Sequence, residues 1–182
     1  MGMTVPESHT EGSAEPWIQD LLCSLLCALQ RRQPHVVELG GFLGHTSVCL
    51  AAALHTQGGG RLTVVEWDAG APERADAVQE RLAALSYSDV EWQVIRDDVL
   101  VAIRSFPDES VDFAFVDDDH AKAHVAEEIR LLLPKMTAGG IITVHDVWGT
   151  TDLQEVLTMF GGYSLDLPRL GPAGGLGILQ VR

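Results

Sequence analysis

The sequence predicts a doubly wound α/β sheet of seven strands, mostly parallel, with an antiparallel terminal strand. Three observations lead there. Short β-branched apolar runs alternate with helical patterns of about 10–15 residues, the rhythm of βαβ units. Polar residues gather directly after each run, where open α/β sheets bind their ligands. The last two runs are joined by a few turn residues, far fewer than the dozen or so that a parallel crossover requires.

The elements follow in order. Met1 to Glu15 is polar and rich in Gly, Ser and Glu, and is expected to be a mobile tail. Pro16 then opens "PWIQDLLCSLLCALQRR", whose apolar positions 18, 21, 22, 25, 26 and 29 keep helical spacing over residues 16–32. The strands "HVVEL", "RLTVVE", "VEWQVI", "VDFAFV" and "GIITVH" alternate with the helices "TSVCLAAALH", "PERADAVQERLAAL", "VLVAIRSF", "AKAHVAEEIRLLL" and "TDLQEVLTMF". "YSLDLP" and "GLGILQV", joined by "RLGPAGG", close the chain as an antiparallel pair. Residues 16–182 thus form one domain, with the sheet spanning 35–182.

Composition removes several classes of function. The 182 residues carry a formal net charge of −14 and only 12 Lys and Arg, too few to suggest a phosphate-neutralising surface, so no nucleic-acid partner is expected. Hydrophobic residues make up 46%, as expected of a folded domain rather than an acidic tail. No stretch reaches the ~18 uninterrupted apolar residues of a membrane span, and the first residues lack a basic segment ahead of an apolar one. The default expectation is a cytoplasmic protein. Cys23, Cys27 and Cys49 are odd in number, and the first two sit four apart on an apolar helical stretch, which favours packing over a disulfide or a metal.

The chemistry lies at the strand ends. "VVELGGFLGHTS" supplies Glu38, Gly40, Gly41 and Gly44 as E-x-G-x-x-x-G, with Phe42 where a nicotinamide-type turn has its middle glycine. Glycines there let the backbone approach a ligand. The second strand ends in Glu66, able to accept from both hydroxyls of a ribose. The third ends in Asp97 and Asp98; one could accept from an adenine amine, or either could N-cap the next helix. The fourth ends in "DDDH", Asp117 to His120, and the fifth in "HDVW", His145 to Trp148. Trp67 could lie on an adenine ring and Trp148 could wall a substrate pocket, or both could simply pack.

This order of motifs over residues 36 to 182 resembles the class I S-adenosylmethionine-dependent methyltransferases. "VVELGGFLG" is similar to their first motif, "TVVE" to their ribose-binding acid, and the final strand pair to their reversed seventh strand. More narrowly, "DDDH" followed by "GGIITVHDV" resembles the metal-dependent O-methyltransferases of the macrocin and cephalosporin-hydroxylase-like group. The resemblance implies a Rossmann-like core and S-adenosylmethionine held by Glu38, Gly40, Gly41, Gly44, Glu66, Trp67, Asp97, Asp98 and Asp117. It also implies a divalent metal on Asp117 and Asp146, with His145 beside them as a further candidate ligand. A cation there turns carboxylate repulsion into ligation and lowers the pKa of a substrate hydroxyl. His120, at the start of the next helix, is placed as general base.

His145 departs from that group, where its position is often acidic. As a ligand it would favour Mn, Fe, Co or Zn over Mg; otherwise two carboxylates remain, or the site works without metal. His124, one turn past His120, is expected to be solvated or to support it. Asp118 or Asp119 contacts the cofactor or caps the helix. The expected activity is O-methylation of a small polar or natural-product molecule. The alternatives are metal-independent N- or C-methylation and a non-catalytic cofactor-binding subunit. So little of the chain is left for a lid that either the pocket is open to a bulky acceptor or a second copy, in a homo-oligomer, closes it.

Overall fold

The structure is a computed structural model that describes residues 14–67, 71–147, 151–165 and 174–182. Trp148 and most of the connection between the last two strands lie outside the described residues. Seven strands form one sheet: β1 (His35–Leu39), β2 (Gly60–Val65), β3 (Val90–Ile95), β4 (Val111–Val116), β5 (Met136–Val144), β6 (Tyr163–Leu165) and β7 (Leu176–Gln180). Their spatial order is β3-β2-β1-β4-β5-β7-β6. The pairs β1–β2, β2–β3, β1–β4 and β4–β5 are parallel, whereas β7 runs antiparallel to both β5 and β6. The expected architecture is therefore the observed one. Strand order reverses between β1 and β4, which leaves a crevice at their carboxyl ends.

Among the described residues, six α-helices cover the sheet: α1 (Pro16–Ala28), α2 (His45–Thr56), α3 (Pro72–Ala83), α4 (Val99–Ser105), α5 (Lys122–Leu132) and α6 (Thr151–Met159). Two apolar cores result. Ile18, Leu22, Leu50, Leu54, Val78 and Leu82 of α1, α2 and α3 meet Val36, Phe113 and Phe115 on one face. Ile103, Val125, Ile129, Val156 and Leu157 of α4, α5 and α6 meet Val37, Leu39, Ala114 and Val116 on the other. Successive strand residues point to opposite faces, so each buried strand must be apolar at nearly every position. No helix among the described residues is long and apolar enough to cross a membrane.

Three local readings change. The first helix stops at Ala28 rather than 32, and Gln30 turns the chain at φ 50. The fifth strand begins at Met136, four residues early, because Gly139 and Gly140 bend it without ending it. Its register against β4 shifts between Val111 and Phe113, so the glycines mark an irregularity inside a strand. The cysteines are free; Cys23 is half-buried, with burial pushing its thiol up to about 12, while Cys27 faces outward instead of into the core.

Each parallel ladder runs one residue past the strand itself. Gly40 N–H donates to Val65 O at 2.9 Å, Glu66 N–H to Ile95 O at 3.0 Å, Asp117 N–H to Leu39 O at 2.9 Å and His145 N–H to Val116 O at 2.9 Å. Gly40, at φ +86, passes so close to the next loop that a Cβ would lie 2.4 Å from the Asp117 carbonyl oxygen. The close approach that the structure shows at this glycine is to neighbouring backbone. Positive φ and overpacking each cost on the order of 1–3 kcal/mol. Gly40→Val is therefore expected to lower the urea midpoint well beyond Gly58→Val, which shares a positive φ of +97 but has nothing within 4 Å of its Cβ position. Equal losses in the two variants would show that the contact with Asp117 is not a constraint.

Candidate active site

A cleft of about 770 Å³ opens over the carboxyl ends of the central strands. That volume suits a small-molecule ligand. Its two ends are chemically different.

At one end stand Glu66, Trp67, Phe42, Arg74 and Asp98. Phe42 adopts φ 47, a left-handed conformation uncommon outside glycine, and its N–H donates to Glu66 Oε2 at 2.7 Å. Burial raises the Glu66 pKa, while the Phe42 and Gly41 N–H groups and Arg74 pull it down. The Arg74 guanidinium lies over the Phe42 ring, 4.9 Å from its centroid. Trp67 is 59% exposed, so it is available to a ligand rather than committed to the core. Asp98 caps α4, its Oδ1 accepting from Leu100 N–H at 2.9 Å and Val101 N–H at 3.2 Å, and it also borders the cleft.

Four residues assigned to the cofactor from sequence do not line this cleft. Glu38 is fully buried and accepts from the Ser47 hydroxyl at 2.5 Å. Burial pushes its carboxyl up to about 8, against the Ser47 bond and with help from Asp117 and Glu66. A Cβ on Gly41 would meet the Val64 and Val78 side chains, and one on Gly44 the Val78 backbone, so both glycines serve helix–sheet packing. Asp97 is exposed and accepts from Asp98 N–H at 2.8 Å. Conversely, sequence reading missed Phe42 as a donor to Glu66, and Arg74 altogether. A large residue in place of the turn's middle glycine was the only signal for the first; nothing signalled the second.

At the other end, Asp117, His120, His145 and Asp146 converge, as predicted, and Glu15 joins them. Glu15 was expected in the tail, yet Ala14 is buried and the Glu15 carboxylate faces His145 Nε2 at 3.2 Å. His145 Nδ1 meets Asp117 Oδ1 at 2.8 Å. Burial works against a charge on His145, but the bonds to Asp117 and Glu15 outweigh it and raise its pKa to about 10. Burial likewise raises Asp117, against the pull of His145. The shared proton belongs on the imidazole, because a second carboxylate holds its other nitrogen. His120 Nε2 lies 3.0 Å from Asp146 Oδ2 and 3.8 Å from Asp117 Oδ1. The Asp146 bond leads in raising the His120 pKa above its ordinary value, so the residue expected near neutrality is more basic than that.

Asp117, His120 and His145 offer one ligand atom each within 4.8 Å of one another, a separation that fits a shared cation. Asp146, expected among the ligands, lies against His120 and has its Oδ1 3.7 Å from His145 Nδ1. Asp119 accepts from Ala121 N–H at 2.9 Å, which shapes the turn into α5. Asp118 borders the cleft and holds His124 Nε2 at 3.1 Å, so His124 is bound rather than merely solvated.

Comparison with known proteins identifies the family and the fold. A family model described as a methyltransferase domain matches residues 37–147. A search of curated proteins finds no match. Among solved structures, the O-methyltransferase TomG from Streptomyces achromogenes, involved in tomaymycin synthesis and solved in complex with SAM, superposes with a TM-score of 0.70 at 22% identity, covering 94% of this chain and 83% of that one. An O-methyltransferase from Bacillus cereus, in complex with SAH, gives 0.70 at 18% identity over 95% and 84%. A SAM-dependent O-methyltransferase from Thermotoga maritima gives 0.70 at 14% identity over 94% and 67%.

The His145 clamp makes a stability prediction. A histidine raised from 6.5 to about 10 on folding contributes stability that is full below pH 6.5 and is lost as pH rises towards 10. With chelator present, thermal unfolding of the wild type is expected to fall more steeply across that window than that of His145→Gln. Parallel curves would mean that His145 is neutral in the folded protein.

Proposed function

The chain belongs to the methyltransferase-domain family and is a class I S-adenosylmethionine-dependent methyltransferase; we propose that it methylates a hydroxyl group of a small polar or natural-product acceptor. The observation that carries this reading is the two-ended cleft. Glu66 stands at one end and the Asp117–His120–His145–Asp146 group at the other. The Glu66 carboxylate accepts from the ribose hydroxyls, with Trp67 and Phe42 beside the adenosyl group. That leaves the sulfonium methyl directed towards the histidine end. His120, held by Asp146, takes the acceptor's proton as the oxygen attacks the methyl carbon. The products are the methyl ether and S-adenosylhomocysteine, with the proton on His120. The raised His120 pKa makes it a strong base once deprotonated.

A divalent cation would be held by Asp117, His145 and Asp146, which leaves His120 free to take the proton. It would supply Lewis acidity, lowering the pKa of the bound hydroxyl. An imidazole ligand favours Mn, Fe, Co or Zn over Mg. Binding would displace the His145 proton, so uptake releases protons and weakens at low pH. The narrower likeness to the macrocin and cephalosporin-hydroxylase-like group rests on these residues alone. A metal-free reading is favoured by one observation: His145 sits between two carboxylates and His120 beside a third, which balances much of the charge without an ion. The net charge of −14 supports a small acceptor over a nucleic acid.

The test is calorimetric titration with S-adenosylmethionine, then turnover of hydroxyl acceptors after chelation and metal re-addition. Glu66→Ala is expected to weaken cofactor binding by ~1–3 kcal/mol; unchanged affinity removes Glu66 from the site. His120→Ala is expected to keep cofactor affinity and lower turnover by ~10²–10⁴-fold, with the residual rate rising with pH. Full activity after exhaustive chelation, with no metal by elemental analysis, selects the metal-free reading. No binding of S-adenosylmethionine by folded protein overturns the function itself.

A further inference from the structure

A second cluster of possible ligands lies beside the first, and the mechanism does not use it. Asp118, in the turn after β4, and His124 and Glu128, one helical turn apart on α5, offer ligand atoms that all lie within 4.8 Å of one another. The spacing of four places the two helical residues on one face. His124 Nε2 lies 3.1 Å from Asp118 Oδ2 and 4.0 Å from Glu128 Oε2. A tetrahedral zinc with bonds of about 2.0–2.1 Å separates its ligand atoms by about 3.3–3.5 Å. The two distances bracket that value.

Glu128 gives the independent sign of a ligand. Its side chain is 0% exposed, and among the described residues no nitrogen or hydroxyl donor reaches either carboxyl oxygen; the hydrogen bond open to it is a proton shared with Asp118. Asp118 Oδ1 is buried and unpartnered in the same way. Among the described residues, the only ion pair either carboxyl makes is with His124. A buried carboxylate with no donor is costly. One shared proton forms one hydrogen bond and so satisfies at most two of these three oxygens. A divalent cation taking one oxygen from each carboxyl neutralises both charges at once, which a single shared proton does not, and His124 supplies the nitrogen.

We propose that Asp118, His124 and Glu128 form a second divalent-metal site, distinct from the Asp117–His145 edge and independent of the proposed reaction. One imidazole and two carboxylates suit Zn²⁺, Co²⁺ or Mn²⁺ rather than Mg²⁺. Asp118 and His124 border the cleft while Glu128 lies behind them. A fourth coordination position therefore faces the cleft, open to water or to an oxygen of a bound molecule.

The test is equilibrium dialysis of chelator-stripped full-length protein against Zn²⁺, with elemental analysis. Glu128→Gln is expected to take up one equivalent less than the wild type, and Asp117→Asn/Asp146→Asn to retain one equivalent. A separate arm covers the case in which a buried substitution prevents folding. His124→Cys loaded with Co²⁺ is expected to show a thiolate-to-cobalt charge-transfer band that the wild type lacks. Equal uptake by Glu128→Gln and wild type, or no such band in folded, cobalt-loaded His124→Cys, overturns the site. Methyl transfer enters none of these readouts, so loss of the proposed activity would leave the outcome intact.

Discussion

The N–H groups of Gly40, Glu66, Asp117 and His145 each extend a parallel ladder one residue beyond its strand, onto Val65, Ile95, Leu39 and Val116. A residue in that position has its backbone held by the sheet, while its side chain has left the apolar interior. Four such positions lie side by side, because β2, β1, β4 and β5 are neighbours in that order. The sheet thus sets the spacing between the glutamate that would hold a ribose and the histidines that would move a proton. Everything else in the cleft is arranged around this row.

The electrostatic cost of the row is met unevenly. Asp117 has His145, and Asp146 has His120, each pair sharing one proton or one cation's worth of charge. Glu66 relies on the Phe42 and Gly41 N–H groups and on Arg74. Glu38, one residue inside the β1 end, has only Ser47, and burial leaves its carboxyl near 8. A neutral Glu38 is the sensible state behind a row of anions, since another charge there would raise the cost of Asp117 and Glu66. Its place in the first motif reflects support of the β1–α2 turn rather than contact with the cleft.

Strands were legible because doubly buried β-segments have to be apolar throughout, and polar residues at their ends stand out. The Asp117–His120 and His145–Asp146 groups were legible for the same reason: each is a short local string directly after a strand. The fifth strand's start was hidden because a glycine pair reads as a break, whereas here it bends an unbroken strand. Glu38, Gly41 and Gly44 were read as cofactor contacts yet do not line the cleft, because one motif mixes cleft-facing and packing positions and spacing alone does not separate them. Glu15 and Arg74 reach the cleft from α1's leading edge and from α3, so no local pattern ties them to it. The Glu15–His145 pair spans 130 positions of sequence. Periodicity says nothing about contacts at that range.

The reversed last strand has a bearing on how this protein can be joined to anything else. Gly177 pairs with Val144 near the cleft, and Gln180 with Ile141 deeper along β5. The chain therefore leaves β7 towards the amino ends of the parallel strands, on the rim opposite the cleft. The first described residues lie at the other rim: Ala14 is packed and Glu15 borders the cleft. A fluorescent reporter, an affinity handle or a surface tether attached past Arg182 starts on the far rim, with the cleft mouth left clear. The same group joined directly at Glu15 would start beside His145, and its bulk and charge would become part of the site's surroundings.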